Sequence, residues 1–124
     1  MKTEFLTKSQ ENLKAAELLL ANQLYNASAN RAYYAAFQAA IAALADIGFE
    51  AERKNHGRIQ SNFVAELIQK RKVYPGYLKS SLMELQDVRN DADYDAQLIS
   101  QKVAIRQLKK AQELVTAIVN GLQP

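Results

Sequence analysis

Residues 31–45 read RAYYAAFQAAIAALA. Alanine is the strongest helix former, and the run contains neither glycine nor proline, so the stretch is the interior of a helix. Its alanines fall on several faces rather than one. Small side chains let neighbouring helices approach closely, which places this helix at the centre of a bundle or at a subunit interface. Outward from the run, Asn26 is a plausible N-cap, the helix extends to Ile47, and Gly48 supplies a stop. Its lengthwise stripe reads Ala27, Arg31, Tyr34, Phe37, Ile41 and Leu44, with Tyr34 as a core residue whose hydroxyl is bonded.

Four more helices flank it. The first runs from about Thr3 to Ala21, with Leu6, Leu13, Ala16, Leu19 and Leu20 mostly on one face. A charged loop covers Phe49 to Asn55. The third helix spans roughly Gly57 to Lys72, with Ile59, Phe63 and Leu67 in register, and Pro75-Gly76 marks a turn. The fourth runs from about Tyr77 to Ala92 through Leu78, Leu82, Leu85 and Arg89. Ser100 caps the fifth, whose row is Ala104, Leu108, Ala111, Val115, Ile118 and Leu122, with Gly121 and Pro124 at its end. No strand pattern, internal repeat or low-complexity tract interrupts this series. The expected fold is all-α: an up-and-down four-helix bundle with an additional short helix, forming a single domain over residues 1–124.

Composition narrows the chemistry. The 124 residues hold no cysteine and one histidine, His56. Thiolate metal sites, cysteine nucleophiles and multi-histidine metal centres within one chain are therefore excluded. No metal and no cofactor are expected. No apolar run approaches the ~18 residues a membrane span needs, and no secretory leader is visible, so a cytoplasmic protein without membrane contact is expected. The net charge of +3 and pI near 9.2 permit an acidic partner or RNA without demanding either.

Function is best sought where the pattern breaks its own rule. Arg89 stands where Leu82 and Leu85 call for a core residue, and Arg31 does the same three residues before Tyr34. A guanidinium in an apolar row must find a carboxylate or face a cleft. Asp87, Asp91, Asp93 and Asp95 lie within reach of Arg89 in sequence. Either these ion pairs fix helix register, or the arginines bind phosphate. The aspartate run 91, 93, 95 lacks the glycine and distant glutamate of a calcium loop, and Asp93 and Asp95 suit a helix end. His56 lies in a basic stretch, Arg53-Lys54-Asn55-His56-Gly57-Arg58, whose charges lower its pKa and attract phosphate. Tyr94 adjoins the aspartates and is a candidate to order Arg89. Lys102, Arg106, Lys109 and Lys110 read as the solvated face of the fifth helix.

Taken in order, Arg31-Ala32-Tyr33-Tyr34-Ala35-Ala36-Phe37, the Lys54-x-His56-Gly57 stretch followed by Phe63, and Arg89…Ala92-Asp93-Tyr94-Asp95 resemble the HEPN superfamily, in its small stand-alone prokaryotic branch with an Ala-Asp-Tyr-Asp ending. The likeness covers essentially the whole chain. It implies an all-α bundle, usually dimeric, with polar residues near a cleft at the dimer interface. Many members are metal-independent endoribonucleases, and many are encoded beside a minimal nucleotidyltransferase, the two acting as toxin and antitoxin. The family's ribonuclease motif is an arginine followed after four to six residues by a histidine. Arg89 matches the arginine, and Tyr94 occupies the histidine position. The tyrosine adenylylated in one branch would fall at Ala96. By this resemblance the catalytic candidates are Arg89, Tyr94 and His56, the last reaching the cleft from another helix or the other subunit. Arg31, Lys54, Arg89 and Asp93 are the candidates for holding nucleotide or phosphate. The expected partners are a second copy of the chain, a minimal nucleotidyltransferase, and a nucleotide or RNA. Three readings follow: a nucleotide- or RNA-binding partner protein, a ribonuclease toxin, and a structural adaptor whose arginines are ion-pair staples.

Overall fold

The computed structural model describes residues 2–49 and 55–122. Among the described residues five α-helices are present: α1 (Lys2–Ala21), α2 (Tyr25–Asp46), α3 (His56–Asn62), α4 (Ser81–Tyr94) and α5 (Gln101–Gly121). A π-helical segment, Phe63–Lys70, continues α3, and a short 3₁₀ turn, Gly76–Ser80, leads into α4. No strand occurs among the described residues. The all-α bundle with one short extra helix agrees with the reading of the sequence.

The central element is α2. It packs on α1, α3, α4 and α5, and Ala32, Ala35, Ala36, Ala39, Ala40, Ala42 and Leu44 are fully buried. Of the two places the alanine run allowed, the middle of one chain's own bundle is the one observed. The close α1–α2 approach carries two hydrogen bonds that periodicity does not reveal. Ser9 Oγ donates to the Ala35 carbonyl (2.6 Å) and Ser28 Oγ to the Ala16 carbonyl (2.8 Å), with both serines fully buried. A hydroxyl short enough to reach the facing backbone meets its own hydrogen-bonding need there.

Helix ends explain the turns. After α2, the Phe49 amide bonds to Leu44 O and the Gly48 amide to Ala45 O, with Gly48 at φ +74°. This is the Schellman arrangement, which glycine permits without a Cβ clash, and Gly48 stops the helix as expected. The α1–α2 turn repeats the pattern with a non-glycine residue: Gln23 sits at φ +63°, and Leu24 and Gln23 amides bond to Leu19 and Leu20 carbonyls. Ser100 caps α5 as expected, its Oγ accepting from the Val103 amide (3.2 Å).

Four local expectations are corrected. Helix α2 begins at Tyr25 after Leu24, and Asn26 is not its cap. Instead the Asn26 side chain accepts from the Ile99 amide (2.8 Å) and donates to the Ala92 carbonyl (3.3 Å), tying the α4–α5 connector to α2. The third helix leaves α geometry at Phe63, and its widened turn is closed by Arg71 N–H on Glu66 O and Val73 N–H on Leu67 O. Helix α4 starts as a 3₁₀ turn and extends to Tyr94. In the α2 stripe, Ala27 is exposed and Tyr34 half-buried, while Tyr33 is the fully buried tyrosine. Because α2 is surrounded, a single stripe does not describe its buried surface. The basic row on α5 is solvated, with Lys110 pairing to Glu84 (2.6 Å).

Candidate functional site

The polar half of α2 faces the C-terminal half of α4, and the start of α3 closes against both. Arg89 enters this seam with its side chain only 16% exposed. Its Nη2 donates to the Tyr34 hydroxyl (2.9 Å) and its Nη1 to Asn90 Oδ1 (3.0 Å). Its Nε lies 3.1 Å from Asp93 Oδ2, but the N–H does not aim at an acceptor, so this contact is an ion pair without a hydrogen bond from Nε. The guanidinium also lies against three rings, with its carbon 5.7, 5.4 and 5.8 Å from the centroids of Tyr33, Tyr34 and Tyr94. Such contacts contribute about 0.5–1 kcal/mol at exposed sites and more where water is excluded.

Arg31 reaches the same ring from its own helix, its guanidinium 5.0 Å from the Tyr34 centroid. Its hydrogen bonds go to neutral amides: Nε (2.9 Å) and Nη2 to Asn30 Oδ1, and Nη1 to Asn12 Oδ1 (3.1 Å). Asn30 in turn donates to both carboxylate oxygens of Asp93 (3.2 and 3.0 Å), and Asn12 to Gln38 (2.7 Å). Asp93 is thus shared between α4, through Arg89, and α2, through Asn30. The two arginines converge on Tyr34, and among the described residues one carboxylate stands against their two positive charges.

His56, the first residue of α3, lies flat on Phe37 (centroids 4.1 Å apart, planes 9° apart), and its Nδ1 is hydrogen-bonded to the Tyr33 hydroxyl. Burial is the main cause that lowers its pKa, with the Arg89 charge second. The direction matches the sequence reading, and the causes among the described residues are burial and Arg89. Burial also pushes the Tyr33 phenol up to about 12, against the opposing pull of a Gln60 hydrogen bond and of Arg89. Tyr94 is 77% exposed, so its ring covers Arg89 from the solvent side. Asp87, Asp91 and Asp95 are exposed. Among the described residues no three His, Asp or Glu side chains converge as metal ligands do, and no helix is long and apolar enough to cross a membrane.

The structure therefore brings Arg31, Arg89, Asp93, Tyr94 and His56 into one cluster, while Lys54 lies outside the described residues. Sequence reasoning missed Tyr33, Asn12 and Asn30. The asparagines did leave a signal, since asparagine is a poor choice inside a helix unless its side chain has a partner.

The model of the HEPN domain matches residues 3–122. The chain belongs to the HEPN family. In this HEPN chain the three segments that carry the resemblance are adjacent in space, because Tyr33 and Tyr34 touch both His56 and Arg89. The fold is also similar to the crystal structure of TT1696 from Thermus thermophilus, with a TM-score of 0.80 and 21% identity over 98% of each chain. Among curated proteins the sequence finds no match.

Proposed function

We propose that this HEPN protein binds the phosphate of a nucleotide or RNA with Arg31 and Arg89, and acts as the partner of a minimal nucleotidyltransferase in a module of the toxin–antitoxin type. The observation that carries the reading is the charge imbalance around Tyr34. Arg31 is satisfied by amides rather than carboxylates, and Asp93 is the sole acid against the pair among the described residues. A structural staple would match each guanidinium to a carboxylate. Here one positive charge is left over, on planar multi-donor groups suited to phosphate oxygens. The family supports the nucleotidyltransferase partner and a homodimer.

The test is anisotropy of a labelled short RNA and a labelled mononucleotide, titrated at several salt concentrations. Wild type binds with an affinity that falls as salt rises. Arg31→Gln and Arg89→Gln each weaken binding about tenfold or more, with helical content unchanged. Absence of binding by wild type, together with unfolding of Arg89→Gln, would establish the adaptor reading instead. Co-purification with the product of a neighbouring nucleotidyltransferase gene tests the partner, and sedimentation at micromolar concentration tests the dimer.

A second reading, a metal-independent endoribonuclease, is favoured by one specific observation: His56 and Arg89 meet at the same two tyrosines, Tyr33 and Tyr34. There Arg89 stabilises the charge on phosphorus, and His56 or Tyr94 assists proton transfer. RNA cleavage in EDTA that is lost in Arg89→Gln and His56→Leu distinguishes it from binding alone.

A further inference from the structure

The polar chain behind His56 has a direction, and that direction decides which hydrogen-bonding face the imidazole offers. It starts on α4 with Gln86, whose Oε1 accepts from Gln60 Nε2. Gln60 also acts on the Tyr33 hydroxyl, working against the rise in the phenol's pKa. Tyr33 is fully buried, so its own proton must find an acceptor inside the protein, and its described partner for that is His56 Nδ1. If the bond ran the other way, from Nδ1–H to the phenol oxygen, the phenol would only accept and its proton would be buried without an acceptor, a costly state. Phe37 holds the ring flat, and a ring flip would break the Tyr33 bond. A bare Nδ1 on a neutral ring requires the proton on Nε2, and Nε2 has no partner among the described residues.

We propose that Tyr33 is a positioning residue, which locks His56 in the Nε2–H tautomer so that the histidine presents a neutral N–H donor to a phosphate oxygen. This rests on the phosphate reading of Arg31 and Arg89 given above. The neutrality has support in the burial that lowers the His56 pKa. The donor adds directionality without a third positive charge beside two guanidiniums, and in the ribonuclease reading it places the histidine on the proton-donating side.

The experiment uses the full chain, labelled with ¹⁵N-histidine, in long-range ¹H–¹⁵N spectra slightly above pH 7 without ligand. The expected wild-type pattern is a protonated Nε2 and a bare Nδ1. Tyr33→Phe keeps the ring and loses the O–H, and its expected spectrum is a mixture of both tautomers. A wild-type Nδ1–H pattern, or a Tyr33→Phe pattern identical to wild type, overturns the positioning role. Should Tyr33→Phe fail to fold, the wild-type spectrum decides the tautomer. Inorganic phosphate is then titrated. The Nε2–H signal is expected to move on saturation, His56→Gln, which retains a neutral donor, to bind within about twofold of wild type, and His56→Leu to bind about tenfold more weakly. Phosphate that moves arginine guanidinium signals but not the imidazole overturns the donor role and leaves the arginine reading standing. Phosphate that moves neither overturns both, whatever the tautomer.

Discussion

The two halves of α2 are chemically opposite, and the N-terminal half is the more open to solvent. From Ala35 to Leu44 every buried side chain is apolar; from Asn26 to Tyr34 the same helix carries Asn26, Ser28, Asn30, Arg31, Tyr33 and Tyr34, each with a hydrogen bond. The alanine half is held by shape, so any change of volume there is felt directly. The polar half is held by matched donors and acceptors, and its one mismatch is the charge of the second arginine. Stability should therefore reside at the first end and binding at the second.

That division can be broken in order of expected effect. Leu44→Ala empties a fully buried site and should cost about 2–5 kcal/mol in urea unfolding, with phosphate affinity of the folded protein unchanged. Arg89→Gln should reduce phosphate or RNA binding about tenfold or more, while costing less stability than Leu44→Ala and leaving the protein folded, because the side chain still reaches solvent and no apolar cavity opens. A stability loss as large as that of Leu44→Ala, with binding intact, would make the polar end ordinary core. Asp93→Asn removes the carboxylate between Arg89 and Asn30. Phosphate affinity should rise several-fold while stability falls by about 1 kcal/mol, readable in one titration and one melt.

The smallest effect is on pH dependence. In the unfolded chain His56 titrates near 6.5, and in the fold burial and Arg89 hold it lower. On acidification the unfolded chain therefore takes up the proton first. The stability present above pH 6.5 is lost as pH falls through the folded value. A melting-temperature series should show this slope in wild type and a shallower one in His56→Gln. On the alkaline side Tyr33, raised from 10 to about 12, contributes stability that is complete below pH 10 and is lost as pH rises through 12.

Much of this was legible in the chain. The alanine run announced a central helix, Gly48 and Ser100 marked ends, and Arg31 and Arg89 stood out because a charge in an apolar row is expensive. The errors share a cause. A stripe argument places Tyr34 rather than Tyr33 in the core because it assumes one buried face, whereas α2 packs against four other helices, so neighbouring residues 100° apart can both turn inward. The π-helical turn after Phe63 was invisible because it depends on which carbonyl the Val73 and Arg71 amides reach, not on residue type. Asn26 read as a cap because asparagine favours that position, whereas its bonds go to Ala92 and Ile99, about seventy residues away in sequence.

Local chemistry thus settled which segments coil, where they stop and which residues do not suit a core, because helix propensity and side-chain spacing are properties of short stretches. Only the assembled bundle decided which partners those residues have. Asp93 sits between two helices, two arginines share one tyrosine, and a buried phenol meets an imidazole, because hydrogen bonds and charges are settled by atoms brought together from distant parts of the chain.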